Sequence, residues 1–232
     1  MSYTKRNDGR KFDETREIKA EVGVIKNADG SAKFQIGKTI AIAAVYGPRN
    51  LYPKFLQNPE KGMLRCNYNM LSFSVDERIR PGPSRRSKEI SLVTERALSP
   101  AVDLSTFTNA VVDVFVEIIQ ADAGTRCAGI CAASMALADA GIPMRDLVAA
   151  VSVGKVGDKL VVDLNKLEED YEGGATDVPI AVLPRNGEIS LLQMDGEMEV
   201  KEIKEALEIG KKACEKIAEI QRKALKEKYK GD

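Results

Sequence analysis

The most constraining stretch of the chain runs from Cys127 to Ala138. It contains no charged residue, and small side chains fill most of its positions. A helix without a polar face has no side suited to solvent, so it must pack closely against neighbours all round. Gly141 and Pro143 end it. The sequence therefore predicts a fold built around a central helix.

The turn before this helix carries an unusual cation. Val111–Ile119 alternates in a way that predicts a strand, and Ala121-Asp122-Ala123-Gly124-Thr125-Arg126 follows it. Gly124 allows the backbone to turn, and we expect Thr125 to be the N-cap. A cation in a first helical turn is disfavoured by about 0.3–1 kcal/mol. A phosphate held by Arg126 and the free N–H groups would reverse this penalty. The alternative is that Arg126 only braces the turn, paired with Asp122 or another nearby acid.

A second pair of cations stands at another predicted helix start. Arg85 and Arg86 precede an apolar stripe formed by Ile90, Val93 and Ala97. Two helix starts with arginine favour anion binding over a purely structural role.

Composition narrows the classes of function. The 232 residues carry 35 Lys+Arg and 35 Asp+Glu, so any nucleic-acid binding must use a local basic patch. The sequence has no histidine, which excludes histidine-based acid–base and nucleophilic mechanisms. The four cysteines form no CxxC motif and are expected to be reduced core thiols of a cytoplasmic protein. We expect no membrane span and no secretory signal.

The order of predicted elements favours an α+β protein. Residues 1–16 are polar and are expected to form an arm against a neighbour or solvent. Strands followed by a helix occur twice, which predicts an internal duplication within one domain, with approximate halves 1–100 and 101–232. The predicted strands are 18–25, 32–36, 39–45 (ended by Gly47-Pro48), 64–73, 111–119, 147–153, 160–164, 178–183 and 188–192, and the other predicted helices are 86–98 and a long one from Val200.

An acidic loop separates two of these strands. Its carboxylates are Asp163, Glu168, Glu169, Asp170, Glu172 and Asp177. One interpretation is a solvated loop without a metal. The other is a carboxylate that faces the arginines across a cleft, where it donates a proton or holds a divalent ion. Arginines, a carboxylate and basic loops together favour phosphoryl chemistry on a polyanion.

Several motifs occur in an order that is specific in combination. They are Arg6-Asn7-Asp8-Gly9-Arg10, Val45-Tyr46-Gly47-Pro48-Arg49, Pro83-Ser84-Arg85-Arg86, Gln120–Arg126, Ala136–Pro143, Asp163-Leu164-Asn165 and Asp177–Ala181. With them the chain resembles the RNase PH family of phosphorolytic 3′→5′ exoribonucleases, in particular the catalytic ring subunits of the archaeal exosome. The resemblance covers nearly the whole chain.

The resemblance implies a fold and a set of partners. The fold would be RNase PH-like, with two duplicated strand-strand-helix halves like domain 2 of ribosomal protein S5 and a long C-terminal helix. The assembly would be a hexameric ring of three heterodimers with an inactive paralogous subunit. RNA would thread through a central channel, and RNA-binding cap proteins would join the ring.

The resemblance also implies roles for particular residues. Inorganic phosphate is the co-substrate, with Mg²⁺ as an optional aid. Asp177 is the acid best matched by context, with Glu169 or Asp170 as its companion. The remaining implied residues are Arg86, Gly124, Thr125 and Arg126 for phosphate, and Arg85 and Lys54 for RNA.

Two alternatives to this function stay open on the sequence. One is a catalytically inactive, structural ring subunit. The other is a stand-alone homohexamer that trims tRNA 3′ ends.

Overall fold

The computed structural model describes residues 3–230 and has nine strands and four α-helices over that range. The strands are β1 (Ile18–Val22), β2 (Gly30–Ile36), β3 (Thr39–Asn50), β4 (Met63–Met70), β5 (Ala110–Gln120), β6 (Ala149–Val156), β7 (Lys159–Val162), β8 (Ala175–Leu183) and β9 (Glu188–Leu192). The helices are α1 (Arg85–Leu98), α2 (Thr125–Asp139), α3 (Lys166–Glu169) and α4 (Val200–Lys228), and Lys54–Leu56 forms one 3-10 turn.

The strands form two sheets. The first has the order β1-β2-β3-β5-β4, and the second has the order β7-β6-β8-β9. All neighbouring strands are antiparallel except β4 and β5, which are parallel. Because β5 belongs to the first sheet, that sheet extends past residue 100. The α+β class and the long C-terminal helix are confirmed.

The chargeless helix α2 occupies the centre, as its composition predicts. It packs on strands of both sheets and on α1 and α4. Gly30 shows how close the approach is, because a Cβ there would lie 2.2 Å from the backbone nitrogen of Ala140. On another side, Gln221 of α4 donates hydrogen bonds to the carbonyls of Cys131 and Val148. We propose that the chain folds as a single unit, since α2 serves as the core of both sheets.

The parallel pair β4–β5 determines where α1 and α2 begin. Met70 pairs with Ile118, so the two strands end at the same edge of the sheet. The loop after β4 stays at that edge, because Leu71 N donates to the carbonyl of Ile118 and Ala121 N donates to that of Ser74. Both helices therefore start near the carboxyl ends of neighbouring parallel strands, where α/β sheets commonly bind ligands.

Two local expectations were wrong. Thr125 is the first residue of α2, and the N-cap is Gly124 in the left-handed conformation (φ 64°). Glycine fits there because it has no Cβ to oppose a positive φ. In addition, Gly47-Pro48 does not end β3, which continues to Asn50 across a register shift between Tyr46 and Arg49.

The N-terminal arm also differs from its expected environment. Tyr3, Arg6 and Arg16 are buried against the chain's own second half, whereas most of the residues between them are exposed as expected. Residues 1 and 2 of the expected arm lie outside the described residues. The acidic loop that they contact is partly ordered into α3, which has a capping box between Asn165 and Glu168. These contacts build a polar layer between the arm and the acidic loop.

Two further expectations concern the cysteines and the membrane. Cys66, Cys127, Cys131 and Cys214 are free and buried, as expected, and burial raises the pKa of each thiol. Within residues 3–230, no helix has the length and apolar character needed to cross a membrane.

Candidate active site

The first turn of α2 offers backbone N–H groups to a ligand. The earliest intrahelical bond runs from Ala128 N to the carbonyl of Gly124, so the N–H groups before it are not used within the helix. Gly124 supplies no side chain to cap them. Such a turn, together with the helix dipole, is an anion-binding arrangement.

Arg126 projects from this turn toward α1 and toward the residue that follows β9. Its Nη1 donates to Oε1 of Gln193 at 2.6 Å, and its Nη2 lies 3.6 Å from Oε1 of Glu89 in α1. Its Nε is buried and, among residues 3–230, has no hydrogen-bond partner. Of the alternative pairings, the one with Asp122 does not occur, because Asp122 contacts Arg16 and the backbone of Lys166 instead. Glu89 is the nearby acid that pairs with Arg126. A buried guanidinium N–H without an acceptor fits an anion bound at this turn.

Arg86 lies in the first turn of α1, the second helix that starts at this edge of the sheet. Ser84 caps α1 in a capping box with Ser87, and Arg85 and Arg86 are exposed in the first turn. Burial raises the pKa of Asp177 and of Glu169, and the positive charge of Arg86 opposes that rise in both. Arg86 therefore lies within electrostatic range of both carboxylates. Gln193 links the two helices, since its Nε2 lies 3.4 Å from Oε1 of Glu89.

Asp177 forms the acidic side of the site. It lies in β8, opposite Gly154 of β6, and forms an isolated two-bond bridge with Asp195. The hydroxyl of Ser152 donates to its carboxylate. Burial raises the pKa of Asp177, whereas the Ser152 hydrogen bond and the charge of Arg126 lower it. This carboxylate is thus oriented by β6 and faces both arginines.

The two candidate companions of Asp177 have different environments. Burial, followed by the negative charge of Asp177, raises the pKa of Glu169 to about 7. Asp170 is exposed and pairs with Lys166 at 2.7 Å. The structure therefore brings Glu169, and not Asp170, together with Asp177. Two carboxylates with different environments are the arrangement that acid–base chemistry uses.

Lys54 lies apart from this cluster. It is exposed in the 3-10 turn after β3, where Asn50 pairs with Ala110 at the start of β5. The site lies beyond the other end of β5, a distance of about 30 Å at the usual rise per strand residue. Lys54 therefore does not contact the group held by Arg126.

Several residues of the site went unrecognised in the sequence. Gln193 and Ser152 give no pattern, because an isolated polar residue in a strand looks the same whether or not it meets a ligand. Arg16 gives no pattern either, although the motif Arg6–Arg10 marks the arm to which it belongs; its partner Asp163 was already among the carboxylates of the acidic loop. Among residues 3–230, no group of three or more Cys, Asp or Glu side chains is arranged to hold a metal ion.

The raised pKa of Glu169 predicts a pH-dependent gain of stability in Glu169→Gln. The ordinary value is 4.5, so the folded chain holds this proton more tightly than the unfolded chain does. The free energy of unfolding of the wild type should therefore fall between about pH 4.5 and 7, a cost that glutamine avoids. In thermal melts, Glu169→Gln should gain more over the wild type at pH 8 than at pH 5. Asp170→Asn is the matched control at the adjacent, exposed position, and its gain over the wild type should differ less between the two pH values than that of Glu169→Gln. An equal effect of Glu169→Gln at both pH values would contradict the burial of this carboxyl.

Comparison with known proteins places the chain in a family. Models of the 3′ exoribonuclease family, RNase PH, match residues 14–143 (domain 1) and 146–213 (domain 2). The curated protein "Exosome complex component Rrp41" of Methanopyrus kandleri is 55% identical over 227 residues, covering 98% of this chain and 94% of that protein. The protein of the same name from Thermococcus kodakarensis is 56% identical over 225 residues, covering 97% and 90%.

Solved structures agree with this placement. Rice (Oryza sativa) Rrp46 superposes with a TM-score of 0.85 at 25% identity, covering 95% of this chain and 100% of that one. A chain of the Archaeoglobus fulgidus exosome with RNA bound to the active site gives a TM-score of 0.79 at 26% identity, covering 93% and 92%. With arginines at two helix starts facing a carboxylate pair, and with both family domains matched in order, the chain belongs to the RNase PH family of 3′ exoribonucleases.

Proposed function

We propose that this chain is the catalytic subunit of an archaeal-type exosome ring and shortens RNA from its 3′ end by phosphorolysis. The observation that carries the proposal is that Arg126, on the open turn of α2, and Arg86 both lie within electrostatic range of Asp177, and that Arg86 and Asp177 lie within the same range of Glu169. The exosome assignment is supported by the curated relatives, which carry that name at 50–56% identity.

The arginine side binds the attacking group. Inorganic phosphate is held by Arg86, by Arg126 and by the N–H groups at Gly124-Thr125-Arg126. The cations neutralise the repulsion between this phosphate and the last phosphodiester of the RNA, and they align the two for in-line attack. Phosphate is itself a competent nucleophile, so a chain without histidine has all the groups this step needs.

The carboxylate side assists the leaving group. An oxygen of phosphate forms a bond to the last phosphorus, and the bond from that phosphorus to the 3′ oxygen breaks. Glu169, protonated in part near pH 7, gives its proton to the departing oxygen. Burial, and after it the charge of Asp177, keeps that proton on Glu169. The products are a nucleoside diphosphate and an RNA shorter by one nucleotide, and the same transition state serves the reverse, RNA-extending reaction.

The position of Lys54 gives it a different task. At about 30 Å from the site, it would contact the RNA backbone several nucleotides before the 3′ end. Arg85, exposed beside Arg86, would contact the phosphates close to the reacting bond. Mg²⁺ is an optional aid, and none of the proposed steps requires it.

The proposed assembly is a hexamer of three heterodimers with an inactive paralogue, to which RNA-binding cap proteins attach. The proposed compartment is the cytoplasm, which the four free thiols support. An inactive structural subunit is the less favoured alternative, because the arginines and both carboxylates are present and grouped together. A stand-alone homohexamer acting on tRNA stays open to experiment.

Phosphate dependence tests the reaction itself. With the partner subunit present, end-labelled oligo(A) should shorten only when phosphate is supplied, and chromatography should show nucleoside diphosphates. Monophosphates formed in phosphate-free buffer would mean hydrolysis and would refute phosphorolysis. Full activity of this chain alone as a homohexamer would transfer the assignment to the stand-alone enzyme.

Substitution of each carboxylate tests the division of roles. Glu169→Gln should lower kcat by about 10²–10⁴-fold, as expected for loss of a general acid. Asp177→Asn should retain some activity but move the alkaline limb of the pH profile to lower pH, because the charge that raises the pKa of Glu169 is gone. The other groups that act on Glu169, namely Lys166, Arg86 and Asp170, stay in place. Asp170→Asn is the control and should remain near the wild-type rate. Loss of activity in Asp170→Asn together with a normal rate in Glu169→Gln would assign the role of proton donor to Asp170 instead of Glu169.

A further inference from the structure

The N-terminal arm contains a network of buried charges that the proposed reaction does not use. Arg6 is 2% exposed, and its guanidinium donates to both carboxylate oxygens of Glu168, at 2.8 and 2.7 Å. It also donates to the carbonyls of Val162 and Asp163. Tyr3 donates to the same carboxylate at 2.8 Å. The arm thereby fixes Glu168, the residue directly before Glu169.

Arg16 makes the connection across the site. Its backbone N–H, Nε and Nη2 all donate to the carboxylate of Asp163, at 2.8, 2.9 and 2.7 Å. Its Nη1 donates to the carbonyl of Asp122 and lies 3.5 Å from the carboxylate of that residue. One guanidinium therefore joins the start of the acidic loop to the turn that begins α2.

Asp122 connects Arg16 to helix α3. Its Oδ1 accepts a hydrogen bond from Lys166 N, the first N–H of α3, at 3.2 Å. Asp163, which Arg16 holds, and Ala123, which directly follows Asp122, are non-glycine residues in the left-handed region (φ 56° and 58°). Such backbone is retained only where surrounding contacts enforce it.

We propose that Arg16, through Asp122 and Asp163, is a positioning residue that sets the distance between the phosphate-binding turn and Glu169. This rests on the proposed function. The reacting groups come from two separate segments, the turn at Gly124–Arg126 and helix α3. Asp122, two residues before that turn, bonds to the first N–H of α3 and is itself held by Arg16. A small displacement of one segment would misalign the proton donor with the leaving oxygen, and a misplacement of about 1 Å can cost about 10²-fold in rate.

Arg16→Lys is the most informative substitution. It keeps the positive charge beside buried Asp163 but loses the planar fork, so one ammonium cannot bond both Asp163 and the Asp122 carbonyl. Asp122→Asn is the second variant; it removes the charge contact with Arg16 while an amide oxygen remains for Lys166 N. Arg65→Lys is the matched control, because Arg65 holds Asp113 through the same two-point geometry, at 2.6 and 3.0 Å, away from the site.

The test is a double-mutant cycle with Glu169→Gln in the assembled, phosphate-supplied ring. Arg16→Lys should lower kcat by about 10–100-fold while RNA affinity stays within about 2-fold, and Arg65→Lys should stay within about 2-fold in both. In the Glu169→Gln background the same substitution should cost less than about 3-fold in kcat, because the proton donor it positions is already gone. A general loss of folded protein would instead lower the rate equally in both backgrounds.

The outcomes separate this inference from the function on which it rests. A wild type without phosphate-dependent activity would refute the proposed function. If the wild type is active, either of two results would refute the positioning role alone. One is a normal kcat in Arg16→Lys; the other is a double variant whose loss in kcat equals the product of the losses of Arg16→Lys and Glu169→Gln. If Arg16→Lys fails to fold by thermal melting, Asp122→Asn supplies the same cycle with the same expected non-additivity, and full multiplication there would overturn the proposal.

Discussion

The parallel pairing of β4 with β5 is the constraint on which the site depends. In a mainly antiparallel sheet, consecutive strands end at opposite edges, and the helices that follow them start far apart. Here two neighbouring strands end together, so α1 and α2 begin side by side and bring Arg86 and Arg126 to one place. The small residues of α2 then allow the second sheet to approach closely and present Asp177 from β8.

Four arginines in and around the site divide into two physical classes. Arg6 and Arg16 are buried, and protein oxygens occupy their donors, so they act on the backbone they hold. Removing one member of such a buried pair typically costs about 3–5 kcal/mol. Arg86 is exposed, and Arg126 has a buried N–H without a protein acceptor among the described residues. The first class keeps the segments in place, and the second is available to an anion.

Much of the fold follows from the sequence, and less of the site does. The chargeless helix and the alternating strand before it are strong periodic signals, and both were correctly placed within a few residues. Thr125 was misjudged because the N-cap preference for hydroxyls is weaker than the need for a glycine at positive φ. From the sequence the arm is expected to lie against solvent or a neighbour, because Arg6 and Arg16 are charged. Only the fold shows that Glu168 and Asp163 are the partners of these two arginines. Glu169 and Asp170 are likewise equivalent in sequence, and burial distinguishes them.

The central claim is that two helix starts form one phosphate site, and binding of phosphate alone tests it most directly. A ligand that binds only the folded chain raises its melting temperature by mass action. Inorganic phosphate should therefore raise the melting temperature of the wild type, and Arg86→Ala and Arg126→Ala should each remove most of that rise. Arg85→Ala, the neighbouring arginine at the same helix start, should keep it. Equal stabilisation of all four proteins, or a loss confined to Arg85→Ala, would contradict the account.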